Sequence, residues 1–444
     1  MSASTTNPYL EGNFAPVTDE VTLTELRVTG TIPEELNGRY LRNGPNPVVA
    51  PDPAAYHWFL GDGMIHGLRL EGGRAAWYRN RWIRSTPVAE ALGEPALPGP
   101  VNNGMDFAPN TNVIGHAGAT LAIVEAGALP FELSDELDSL GRTDFGGGLD
   151  GGYTAHPKLD PATGELHAVS YFWGWGNQVQ YTVVDRDGTV VTRRMVETTG
   201  GPMVHDMSLT ERYAVVYDLP VVFDLDVLAT GARLPYVWHD DYPARVGLID
   251  RRDVDGPVRW LDVDPCYVFH PMNAYDDGDD VVIDLCRWDR MFEPGHVGPF
   301  EQGNHSTLRR WTLDVAGGKV REDVIDDLPQ EFPRVDERLT GRKHRYGYAA
   351  TLDGIIKHDF ETGAVDRYDF GTPKSQNEAV FVPRAADAAE DDGWLVCLTY
   401  DGASDTSALA ITHAQDVAAG PVATVHLDRR VPFGFHGNWI ADAV

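Results

Sequence analysis

Tyr181-Thr182-Val183-Val184-Asp185-Arg186-Asp187-Gly188-Thr189-Val190 reads as a strand, a turn and the opening of a second strand. Residues 181–184 are aromatic or β-branched, side chains that suit a pleated, half-buried surface. Aspartate and glycine then supply the turn: the carboxylate can accept from nearby backbone N–H groups, and glycine takes up positive φ. The same unit returns from Trp311 to Val320 through Asp314 and Gly318, and from Ile356 to Val365 through Asp359 and Gly363. Related units centre on Asp160, Asp250 and Asp416, and from Asp185 onward the intervals between these aspartates are 65, 64, 45 and 57 residues. A period of that size matches a four-stranded propeller blade, and the chain holds about seven of them.

The surrounding sequence agrees. Residues 281–285 form another strand-like run, and turns are expected at Asp187-Gly188, Gly317-Gly318, Asp353-Gly354 and Asp392-Gly393. Helical periodicity is scarce; residues 88–92 and 135–140 are the best candidates, each a turn or two long. A sandwich would not fill 444 residues without a linker, and no Pro/Ser/Gly-rich linker interrupts the chain. One all-β domain over residues 1–444, a closed propeller, is the expected architecture.

Hydrophobic residues at 42% are enough for an extensive core, which excludes a disordered chain. The net charge of −31, with no Lys/Arg-rich run, repels phosphate backbones and anionic headgroups, so no nucleic acid partner is expected. The same charge serves as a solvated acidic surface. Three cysteines, Cys266, Cys286 and Cys397, form no CxxC pair and suit buried thiols in a reducing cytoplasm. The first residues lack a basic stretch followed by an apolar one, and no apolar run approaches the roughly 20 residues that span a bilayer. A cytoplasmic protein with at most weak peripheral membrane contact is expected, its only candidate patch lying at residues 222–238 with Val227, Leu228, Leu234 and Trp238.

Most of the 15 histidines must be ordinary. Four stand apart by setting: His156 before Pro157-Lys158, His205 before Asp206-Met207, His270 in Phe269-His270-Pro271, and His436 in Phe435-His436-Gly437-Asn438-Trp439. Their spacings are 49, 65 and 166 residues, so the first three lie about one blade apart. Equivalent strands of successive blades converge on a propeller axis, where such residues can meet.

Arg39-Tyr40-Leu41-Arg42-Asn43-Gly44-Pro45-Asn46-Pro47, followed by Gly61-Asp62-Gly63-Met64, resembles the N-terminal signature of the carotenoid cleavage oxygenase family. The four histidine settings resemble that family's iron ligands in the same order, and the resemblance spans residues 7–439. It implies a seven-bladed β-propeller, short helices and loops capping the iron-bearing face, with Fe(II) on the axis held by His156, His205, His270 and His436. It also implies that Glu125, Glu331 (in Glu331-Phe332-Pro333-Arg334) and Glu378 (in Asn377-Glu378-Ala379-Val380) hold those histidines. By the same resemblance Thr111, in Asn110-Thr111-Asn112-Val113, crowds one open iron position. The chemistry is consistent: imidazole suits Fe(II), four neutral nitrogens leave two octahedral positions, and a ligating histidine commonly gives its other N–H to a carboxylate. Zinc is the rival metal, but only Cys266 falls near a ligand histidine, and structural zinc favours cysteine in a closed shell.

The implied reaction is cleavage of a C=C bond by O2, leaving two carbonyl products. Its substrate is an apolar polyene, a carotenoid or apocarotenoid, or else an aromatic alkene such as a stilbene or phenylpropene. Family members acting on 4-hydroxylated aromatics commonly carry lysine before the glutamate matching Glu125; here that residue is Val124, which favours the polyene. Phe107, Phe172 and Trp173 are candidate tunnel walls, though aromatics at strand spacing serve equally as core. Two further classes remain open: a non-catalytic binding propeller, and a zinc or calcium hydrolase, whose axial ligands are usually Asp, Asn and Glu. Oligomeric state is not legible.

Overall fold

The structure is a computed structural model that describes residues 7–293, 298–299, 304–371, 374–376 and 378–442. The first six residues of the chain and Asn377 lie outside the described residues. Seven antiparallel sheets of at least four strands follow one another around an axis. Six come in chain order, starting from Asn112–His116, Lys158–Leu159, Ser208–Leu209, Tyr267–Asp277, Glu331–Arg334 and Val380–Pro383. The seventh joins the two ends of the chain: Gly437–Ala441 pairs with Gly38–Pro45, which continues into Gly63–Glu71 and Arg74–Trp82. A second clasp is made by Arg27–Gly30, which pairs with Pro421–His426 on the outer edge of the sheet before it. Closure by both termini leaves the ring no open seam.

The first strand of each sheet runs nearest the axis. Ser208–Leu209 touches Tyr267–Asp277, Tyr267–Asp277 touches Glu331–Arg334, and Val380–Pro383 touches Gly437–Ala441, which in turn touches Asn112–His116. Between the sheets lie packed apolar layers, with Tyr181, Val215, Leu248, Ile283 and Trp311 fully buried in one of them.

The Asp–Gly units join third to fourth strands. Oδ1 of Asp185 accepts from the N–H groups of Asp187 and Thr189, and Oδ1 of Asp314 accepts from Gly317. Gly188 and Gly318 close these turns at φ +82° and +68°, where a Cβ would be strained. Asp250 and Asp359 make the same local bonds. Asp160 instead turns the first strand of its sheet into the second.

One expected helix forms. Thr86–Leu92 is capped by Ser85, whose Oγ accepts from Val88 N–H, and ends at left-handed Gly93. The other does not. Leu137, fully buried, sits at φ +69°, and its N–H bonds Ser134 O at 3.0 Å, so residues 135–140 make a tight turn into the strand Ser139–Arg142. A leucine in the left-handed region cannot continue a helix. Residues 222–238 form a ribbon, Val221–Phe223 against Tyr236–Trp238, with the short helix Leu225–Ala229 at its tip. Among the described residues no helix is long and apolar enough to cross a membrane.

Candidate metal centre

Each of the seven sheets delivers one side chain to the axis from the start of its first strand. Thr111 precedes Asn112–His116 by one residue, His156 precedes Lys158–Leu159 by two, and His205 precedes Ser208–Leu209 by three. His270 lies inside Tyr267–Asp277, Glu331 opens its strand, Glu378 stands two before Val380–Pro383, and His436 directly precedes Gly437–Ala441. The long interval between His270 and His436 is therefore two blades that present glutamates instead. Glu125 alone arrives differently, from just beyond the second strand Ala119–Ile123.

The four histidines are buried, and one nitrogen from each lies within 4.8 Å of the others. Ring centroids are 4.4 Å apart for His156 and His436, 4.5 Å for His156 and His205, and 4.6 Å for His270 and His436. Three rings are oriented from behind by carboxylates. Nδ1 of His205 donates to Glu125 Oε1 at 2.7 Å, Nδ1 of His270 to Glu331 Oε2 at 2.6 Å, and Nδ1 of His436 to Glu378 Oε1 at 3.2 Å. A carboxylate only accepts, so each of these imidazoles carries its proton on Nδ1 and aims the Nε2 lone pair inward.

The glutamates are held in turn. Glu331 accepts from Trp288 Nε1 at 2.9 Å and from the Phe332 N–H. Glu378 accepts from Arg334 Nη1 at 3.2 Å and Gly437 N–H at 2.9 Å. Burial alone would raise both carboxyls; for Glu378 the Arg334 charge and His436 outweigh it and hold the group down at about 2. For Glu331, His270 and the Trp288 bond outweigh burial in the same direction. Both are ionised at neutral pH. Burial, reinforced by the three neighbouring histidines, pushes His156 well below the usual range and keeps it neutral. The backbone pays locally for this arrangement: Ala126 and Phe332, each directly after a glutamate, sit at φ +66° and +52°.

These residues fit a metal. Nε2 of His205 and Nε2 of His270 face each other at 3.2 Å, and His156 Nε2 is buried with no hydrogen-bond partner among the described residues. Converging lone pairs and an orphaned nitrogen are costly unless a cation lies between them. An all-imidazole shell suits zinc, copper, iron or nickel more than calcium or magnesium.

Two cavities reach the cluster from different sides. An apolar one of about 120 Å³ is bounded by His205, His270 and His436 together with Trp58, Phe59, Phe107, Phe269, Phe332 and Phe435. Phe59, Leu60 and Leu234 also line an adjacent outer cavity of about 440 Å³ beside the helix Leu225–Ala229. A polar channel of about 650 Å³ reaches His156, His270 and His436, passing the Lys158–Asp206 ion pair, which closes at 2.8 Å.

The structure brings together His156, His205, His270, His436, Glu125, Glu331 and Glu378, and sets Thr111, Val124 and Phe107 in the apolar wall. Thr111 spends its hydroxyl on Asn110 Oδ1 at 2.9 Å, and its carbonyl accepts from the N–H of His436. Phe172 and Trp173 are not in that wall. Phe172 is buried with its ring against Gly127, and Trp173 is 49% exposed beside Phe223. Sequence reasoning missed Phe269, Phe332 and Phe435, although each directly adjoins a residue it had singled out. Trp288 and Arg334 carried no comparable signal.

The chain matches the retinal pigment epithelial membrane protein family over residues 14–441. It is 45% identical to a carotenoid cleavage oxygenase of Mycobacterium tuberculosis, over 99% of this chain and 98% of that one. Identity is 33% to a carotenoid 9,10(9',10')-cleavage dioxygenase of Phaseolus vulgaris, over 98% and 89%. Among solved structures, a lignostilbene dioxygenase of Pseudomonas brassicacearum superposes with a TM-score of 0.88 at 28% identity, covering 98% of this chain and 99% of that one.

Proposed function

The chain belongs to the carotenoid cleavage oxygenase family and is an oxygenase, and on that premise we propose that it splits a C=C bond of a carotenoid or apocarotenoid with O2, releasing two carbonyl products. The observation that carries the reading is the convergence of four buried imidazoles, three of them anchored on carboxylates, at the end of an apolar cavity. His156, His205, His270 and His436 would hold Fe(II), which supplies the redox chemistry that brings O2 to react with an electron-rich alkene. Glu125, Glu331 and Glu378 would orient three of the ligand rings and offset the cation's charge. Trp58, Phe59, Phe269 and Phe435 would exclude water and hold a flat conjugated chain against the histidine cluster. Thr111, its hydroxyl turned to Asn110, would crowd the space beside the histidines and narrow the approach of O2.

Val124 supports the polyene. It is buried in the cavity wall and presents only methyl groups where a phenol-recognising member carries an ammonium. Cleavage of a phenolic stilbene is the second reading, favoured by the close superposition on a lignostilbene dioxygenase. Leu225 and Leu228, 71% and 43% exposed beside the outer cavity, support transient contact with a lipid surface during substrate uptake. Three buried cysteines without a disulfide support a reducing, cytoplasmic setting. Residues 1–444 act as one domain in this reading, since strands from both ends complete the ring. Incubation with a panel of carotenoids, apocarotenals and hydroxystilbenes, followed by product masses, tests the proposal. Two carbonyl fragments from a polyene are expected; cleavage of hydroxystilbenes alone would overturn the substrate assignment.

A further inference from the structure

Of the three glutamates behind the histidines, two have both carboxylate oxygens hydrogen-bonded and one does not. Oε2 of Glu125 is buried and has no partner among the described residues. One other side chain in the same cavity wall is in the same condition: the phenol oxygen of Tyr171, also buried and also without a partner. A buried acceptor and a buried donor left unpaired each cost about 1–3 kcal/mol. Tyr171 also occupies a telling place in the fold. It is the last residue of Leu166–Tyr171, the second strand of its sheet, just as Trp288 is the last residue of Asp280–Trp288, the second strand of its own. Trp288 uses that position to bond Glu331. Tyr267, another phenol close to Glu125, already donates to Met203 O at 3.1 Å.

We infer that Tyr171 is a positioning residue: its O–H donates to Oε2 of Glu125 and so fixes the carboxylate that orients His205. Burial first, and then the charge of Glu125, push the phenol's ionisation well up, so it remains a donor at every working pH. Strand end, aromatic donor, glutamate and histidine thus recur on two sides of the cluster, with tyrosine on one side and tryptophan on the other. Loss of the hydroxyl frees Glu125 to turn into the cavity and loosens His205.

The inference rests on the metal reading above, and its first readout is metal retention rather than turnover. Metal-free wild type, Tyr171→Phe, Glu125→Gln and the double variant are loaded with cobalt(II), and the ion is competed away with a chelator. Thermal melts of the metal-free proteins check folding. Tyr171→Phe should weaken cobalt retention roughly tenfold while still melting as a folded protein. In the Glu125→Gln background the same substitution should add little, because the acceptor it served is gone. Wild-type retention in Tyr171→Phe, or an equal loss in both backgrounds, would overturn the inference. So would a raised KM for polyene with metal retention unchanged, which would make the phenol a substrate contact. Failure of the wild type to bind any metal would instead remove the metal reading itself, and the inference with it.

Discussion

Nε2 of His205 stands 3.2 Å from Nε2 of His270, and each ring's other nitrogen is committed to a glutamate, Glu125 at 2.7 Å and Glu331 at 2.6 Å. Two imidazoles protonated on their far sides cannot hydrogen-bond each other. Their approach fits a shared cation, and on the proposed reading the carboxylates behind them set how firmly that cation is held.

Trp288 is the donor that keeps Glu331 in place. Trp288→Phe keeps an aromatic side chain but removes the N–H with the rest of the indole's five-membered ring, so metal affinity should fall roughly tenfold, as for other outer hydrogen bonds to ligand histidines. Competition against a chelator of known affinity measures this. An unchanged affinity would mean that Glu331 needs no anchor.

On the proposed reading, Val124 selects the polyene. Val124→Lys sets an ammonium into an apolar wall beside Glu125, and kcat/KM for polyene should fall on the order of tenfold or more through the cost of burying charge. Affinity for a 4-hydroxystilbene should rise. Steady-state kinetics with both substrates provide the check; undiminished polyene cleavage would show that residue 124 does not select the substrate.

Glu378 titrates at about 2 in the folded protein against an ordinary 4.5. A depressed carboxyl stabilises the fold above its unfolded value, and that contribution is lost as pH falls from about 4.5 through 2. Its size is on the order of 3 kcal/mol. Metal-free Glu378→Gln should be less stable near neutrality, with a flatter decline on the acid side. Urea midpoints across that range test this, and parallel acid limbs for the two proteins would contradict it.

The propeller was legible because its turns are chemically stereotyped. Asp185, Asp250, Asp314 and Asp359 bond the N–H groups two to four residues onward, so a local pattern repeated with the blade. Residues 135–140 misled because Leu137 takes a left-handed conformation imposed by burial rather than by residue type. The histidines were found through neighbouring residues and a family resemblance; their 166-residue gap became intelligible only when Glu331 and Glu378 took the two intervening blades' positions. Phe172 and Trp173 failed as cavity walls because the strand Leu166–Tyr171 ends before them, and Tyr171 is the residue that faces the site. Long-range anchors such as Trp288 on Glu331, 43 residues apart, leave no local mark.

Anaerobic titration of the metal-free protein with ferrous iron, for wild type and His270→Ala side by side, tests the four-histidine centre most directly. One tightly held iron per chain in wild type is expected, and none in a folded His270→Ala. Equal retention of iron by the two proteins would contradict it.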